Sequence, residues 1–300
     1  MSGLREFQVG PVESQGAFTI NGEAALRRLS AVRFPGPHHY LLKFVQAAVA
    51  GGAAEICFRL TWWAVEVAWE PPSEVRLEGL LGQLLSSEEP AGHHLAVGAW
   101  AALGAGASRV VVEQAGQRLV LGSEGHWSEP GVEGPALRVK ILRWRLDLGA
   151  ELRCLVEHCA WSPIPVRLSG ADVRSTQWGD ERTLRQVYLA GVGLSAPAVS
   201  RARRPPRVAR ELAGRRIPCW LMLGLEPGDG GGELQLVRHG VLLERFPYDF
   251  GQPGVVAVLA VDEVPTDLSG FGVRDGLEWE GRIARLHDEL HHVGFPTDET

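Results

Sequence analysis

Lysine is almost missing from this chain. Lys43 and Lys140 are the two present, and arginine supplies the rest of its 30 basic side chains. Cysteine is also scarce, at four: Cys57, Cys154, Cys159 and Cys219. None of them forms a CxxC pair, which excludes a disulfide scaffold or a ribbon-type structural zinc and leaves reduced, core-packed thiols. No apolar run approaches the roughly 18 residues of a membrane span. The opening stretch from Met1 to Phe7 has no apolar export core, so a cytoplasmic protein without membrane contact is expected. A basic excess is missing too: 30 cationic residues face 36 acidic ones, a net charge of −6. The chain as a whole therefore does not attract polyanions.

What remains is ordinary globular material. The 300 residues, 45% apolar and 22% charged, suit one large domain or two of common size. Leu41, Leu42, Val45, Ala48 and Val49 recur at three- and four-residue steps, which predicts a helix over 37–50 ended by Gly51-Gly52. A shorter helix is read at 22–30. Alternation predicts strands at 54–60 and 64–69, joined at Thr61-Trp62-Trp63. Helical spacing returns at 74–86 and 94–103. A hairpin about Ala115-Gly116 pairs 109–113 with 117–121, followed by a strand at 136–147, a helix at 151–159 and a strand at 163–168. After an arginine-rich stretch, strands are read at 218–225, 233–238, 241–246 and 254–261, with a last helix over 278–292. The best boundary lies at 170–185.

This order of elements, with the segments KFVQAAVAGGA (43–53), HHLAVGAWAAL (93–103) and SPIPVRLSG (162–170), resembles the ATP-binding domain of the GHKL group. That group includes gyrase B, the ninety-kilodalton heat-shock chaperones, histidine kinases and MutL. The resemblance implies an α+β fold: a Bergerat-type sandwich over 1–175, an arginine-rich connection over 176–216, and a smaller transducer-like domain over 217–300. It also implies an ATP pocket lined by Gln46, Ala47, Ala50, Glu70, Leu95 and Gly98. In the group a glutamate activates water and an asparagine one turn later holds Mg²⁺; these positions fall on Lys43 and Ala47. Alanine offers no oxygen to a cation, and an ordinary ammonium is no base. The segment Glu70-Pro71-Pro72 stands where a glycine-containing adenine-reading motif is expected. No catalytic or metal-binding residue is therefore assigned, and Mg²⁺ has no family ligand here. The expectation is a non-hydrolysing binding or scaffolding subunit, with ATP or ADP held weakly if at all. The alternative is a chaperone-like ATPase with an unusual active site. Glu55, as a base from another register, lies at a strand start and away from the helix.

Other patterns are read as structural. His287 and His291 share a helical face, but Asp288 rather than glutamate follows the first histidine and no third ligand is evident. The pairs His38-His39 and His93-His94 are read as surface or cap residues, and Cys154 with His158 as core. Seven arginines crowd 201–216 without an interleaved aromatic, which suits a linker or docking arm better than a nucleic-acid groove. Adjacent strand residues face opposite ways, so Trp62 and Trp63 cannot both be core. With Arg203, Arg204 and Arg207 they are the candidate contacts for a protein partner, or for a second copy in a homodimer.

Overall fold

The computed structural model describes residues 34–75, 77, 80, 82–84, 90–122, 125–144, 147–174, 186–196, 217–225, 230–267 and 269–293; for 186–196, 217–219 and 292–293 it describes backbone only. The expected helix at 22–30 and the arginine stretch 201–216, with Arg203, Arg204 and Arg207, lie outside these residues.

Helix α1 (Tyr40–Ala50) is buried from Tyr40 through Ala48, polar Lys43 and Gln46 included. Its apolar stripe is wider than one face because structure packs on it from several sides. Hairpin β1 (Ile56–Leu60) and β2 (Ala64–Trp69) follows as read. The expected helix at 74–86 is not formed in the described residues, which make a 3-10 turn at Gly82–Leu84. The Val75 amide is instead taken by the Gln114 side chain at 2.9 Å, while Leu77, Leu80 and Leu84 are still buried.

Helix α2 (Pro90–Gly104) leads into β3 (Ala107–Gln114) and β4 (Gln117–Gly122). Their turn has left-handed backbone at Ala115 and Gly116, φ 48° and 78°, the conformation of a two-residue hairpin loop. Strand β5 (Gly125–Pro130) extends this pair although its sequence GHWSEP has no apolar alternation. Strand β6 (Leu137–Arg143), helix α3 (Leu148–His158), β7 (Val166–Leu168) and β8 (Ala171–Asp172) complete an eight-stranded mixed sheet, ordered β5-β4-β3-β6-β2-β1-β7-β8. Asp147 caps α3 by accepting from the Ala150 amide at 2.9 Å. One face of the sheet presents Ile56, Phe58, Val65, Val67, Val110, Val112, Val139 and Ile141, all fully buried under the helices. The opposite, more polar face carries Arg59, Glu66, Arg138 and Lys140 together with the half-buried Val111 and Leu142 and the buried Val120.

A second, five-stranded sheet is ordered β12-β11-β13-β10-β9, from β9 (Gln186–Ala196), β10 (Ile217–Leu225), β11 (Glu233–Arg238), β12 (Val241–Pro247) and β13 (Val255–Ala260), with helix α4 (Leu277–Val293) following. Strand β9 lies within the segment read as a connection, yet it pairs with β10 in this sheet. The α+β class is as expected. Buried side chains of both sheets join in one apolar cluster, so the two halves share a core.

Candidate functional site

The residues implicated by the family resemblance collect where α1 and α2 cross. Gly98 sits inside α2, and a Cβ there would meet Lys43 Cβ at 3.0 Å and Phe44 Cε1 at 3.1 Å. Its missing side chain lets the two helices approach. Leu95 and Ala47 are buried in the same seam, and Ala50 is half-buried at the end of α1. Glu70 is exposed just after β2. Pro72 lies 3.6 Å from where a Cβ on Gly52 would stand, so the proline segment abuts the turn that ends α1.

Lys43 is the unusual member. Its side chain is 1% exposed, on a face of α1 that the second half covers. The ammonium donates to Gln46 Oε1 at 2.8 Å and lies 4.4 Å from the centroid of the Phe271 ring. Burial, with the Arg238 charge nearby, lowers its pKa from 10.5 to about 7, against the opposing pull of Asp267. Gln46 in turn donates to the Arg238 carbonyl at 3.3 Å. Residues 269 and 270 are held by Asp267, whose Oδ1 accepts from the Ser269 hydroxyl at 2.6 Å and the Gly270 amide at 2.8 Å. A Cβ on Gly270 would stand 2.4 Å from the Lys43 nitrogen, so glycine is what allows this loop to lie on the lysine.

Histidines line the rest of the seam. His94 is 3% exposed, neither ring nitrogen has a hydrogen-bond partner among the described residues, and burial holds its pKa well below 6.5. Its ring meets His239 at 5.1 Å. His39 contacts His158 at 5.0 Å and Phe271 at 5.3 Å, and burial followed by the His158 charge lowers its pKa to about 4. On the far side of α1, Tyr40 donates to the fully buried Glu151 at 2.8 Å. Burial raises the Glu151 pKa despite Tyr40, His38 and Arg143 beside it.

The cluster around Lys43 is cationic or imidazole in character, with carboxylates contributed by Asp262 and Asp267. Arg238, His239, Asp267, Gly270 and Phe271, which the sequence reading placed in the transducer-like half and not in the pocket, lie about 200 positions from Lys43, and nothing local to α1 announces them. His39 stands at the N-cap position of α1 with His38 beside it, as a cap reading expects, whereas His94 is buried in the seam and not at the surface. Cys154 and Cys159 are buried free thiols, and Cys57 is a half-buried one. Glu55 is spent on Arg167 at 2.6 Å, and His287 meets the Tyr248 hydroxyl at 3.0 Å. Among the described residues, no three His, Cys, Asp or Glu side chains are grouped to hold a metal. Trp62 and Trp63 are both exposed, at 69% and 67%.

No family model matches the chain, and no curated protein matches it. Solved structures do. The chain is similar in fold to the ATPase region of a topoisomerase II. That region, from Saccharomyces cerevisiae, matches at 11% identity with a TM-score of 0.47, over 87% of this chain and 86% of its own. The same region bound to ICRF-187 (dexrazoxane) matches at 10% identity and a TM-score of 0.45, over 86% and 85%. At these values no residue role, activity or partner follows from the likeness.

Proposed function

We propose that this chain is a GHKL-like protein with a degenerate ATP pocket, working as a non-hydrolysing binding or scaffolding subunit. The observation that supports this reading is the burial of Lys43 under Gly270 and Phe271. Lys43 stands where the resembled family has its water-activating glutamate, and Ala47 where it has its metal-binding asparagine. A methyl group cannot ligate Mg²⁺. The Gly270 and Phe271 backbone and ring lie directly against Lys43 and leave it 1% exposed. Mg²⁺-ATP therefore does not fit the residues present.

One feature favours the alternative, an ATPase with an unusual site. A lysine with a pKa of about 7 is partly neutral at neutral pH and could take a proton. Titration calorimetry with Mg²⁺-ATP, paired with a phosphate-release assay on the full chain, separates the two. The scaffold reading expects no micromolar binding and no release above background. Binding with turnover abolished by Lys43→Met would establish the ATPase instead.

As a scaffold the protein works through its surface, and the exposed Trp62-Trp63 turn and the arginines Arg203, Arg204 and Arg207 are its proposed contacts with a protein partner. A tryptophan filling a partner pocket can contribute about 2 kcal/mol or more, whereas rim arginines mainly set salt dependence.

A further inference from the structure

The polar face of the eight-stranded sheet carries a pattern that is invisible along the chain. Cross-strand registers align Arg59 with Glu66, Glu66 with Lys140, Lys140 with Val111, Val111 with Val120, and Val120 with Trp127. Directly paired residues share a face, so this is one continuous row across six strands, roughly 24 Å long at the usual strand spacing. Two residues nearer the sheet end, Arg109 lies on the same face, and its guanidinium stands 5.6 Å from the centroid of the Trp127 ring. Trp144, in the bend just past the end of β6, is 86% exposed, while its neighbour Arg143 turns inward to Glu151 at 3.9 Å.

We propose that this face binds single-stranded nucleic acid. Its stacking surfaces are Trp127 and Trp144, and its phosphate contacts are Arg59, Lys140 and Arg109. The proposal goes beyond the scaffold reading and does not depend on the nucleotide pocket. Such binding needs aromatic faces that accept any base, interleaved with cations that track a backbone. Both are present here, on a rigid sheet. In these rows three cations face one carboxylate, Glu66, which is shared between Lys140 at 3.0 Å and Arg59 at 3.8 Å. The local charge thus opposes the chain's overall −6. The side chains are already solvent-exposed (Arg59 at 73%, Lys140 at 52%), so binding requires no opening of the core.

The test is fluorescence anisotropy of the full-length chain with a labelled oligothymidylate of about 15 nucleotides, long enough for one such site. Binding should weaken as salt rises, with a log–log slope of about −2 for three single-strand phosphates neutralised. Trp127→Ala and Trp144→Ala should each weaken it about tenfold, as lost base stacking does, with unchanged thermal melts. Glu66→Gln should tighten it by removing the carboxylate. Substituting Arg203, Arg204 and Arg207 together should leave these effects in place. The proposal is overturned if the oligonucleotide does not bind, or if binding ignores both tryptophans and is matched by heparin, a polyanion without bases. It is equally overturned if anionic phospholipid vesicles or a second copy of the chain occupy the face while the oligonucleotide does not.

Discussion

The Lys43 ammonium rests 4.4 Å from the centre of the Phe271 ring, although 228 positions separate the two residues. This contact joins the two halves of the molecule. Phe271 also touches Phe34 and His39, edge to face at 5.7 and 5.3 Å. Replacing it with alanine should cost about 3 kcal/mol, the usual range for a buried aromatic. The Lys43 pKa should then rise toward 10.5 as water reaches the amine. Denaturant melts followed at several pH values would register both.

Lys43 also sets a slope of stability with pH. Its folded pKa of about 7 lies below the ordinary 10.5, so across that window the unfolded chain binds the extra proton. Stability should therefore rise as pH rises from 7 to 10.5 and be lost on the way back down. Lys43→Met keeps the aliphatic volume but strands Gln46 Oε1, at a cost of about 1–3 kcal/mol. The difference in slope between variant and parent is consequently the decisive quantity. Equal slopes would show that Lys43 is not buried as described.

Acid should act through His39. Its pKa falls from 6.5 to about 4 through burial, then through the charges of His158, His38 and Lys43, partly offset by a bond to the Gly36 backbone. The contribution is present above pH 6.5 and lost as pH falls to about 4, because the unfolded chain protonates first. His39→Leu should flatten that part of the profile. Thermal melts between pH 4 and 7 would show it, and an unchanged curve would refute the role of His39.

Gly98 and Gly104 offer a paired test of helix packing. A methyl on Gly98 meets Lys43 and Phe44 at 3.0–3.1 Å, whereas Gly104 has nothing within 4 Å. Gly98→Ala should destabilise by about 1–3 kcal/mol through overpacking. Gly104→Ala should be neutral or gain up to about 1 kcal/mol in helix propensity.

Trp62→Ala with Trp63→Ala should leave folding within about 0.5 kcal/mol of the parent, since both rings are exposed. Sedimentation should show weaker association with a protein partner or a second copy. Unaltered sedimentation would remove the turn from the contact surface.

Much of the fold was legible in the residues because its signals are local. The turns at Ala115-Gly116 and His239-Gly240 adopt left-handed backbone where the dipeptide invites it, and the alternation of Ile56, Phe58, Val65 and Val67 became the buried sheet face. The periodicity of α1, α2, α3 and α4 also held, to within a few residues. Two readings failed because distant partners won. The helical spacing at 74–86 gave way to a Gln114 side chain that claims the Val75 amide, and β5 formed on the strength of its pairing with β4 rather than of its own sequence. The site was less legible still. The sequence by itself determined that Lys43 and Ala47 lie one turn apart on the helix Tyr40–Ala50, through its three- and four-residue apolar spacing. Only the tertiary structure decided that Gly270 and Phe271 close over that face, that Arg238 and the histidines gather beside it, and that Trp127 shares a sheet face with Lys140 and Arg59. Those relationships depend on strand register and on contacts across as many as 228 positions, and neither is written in the periodicity of any single segment.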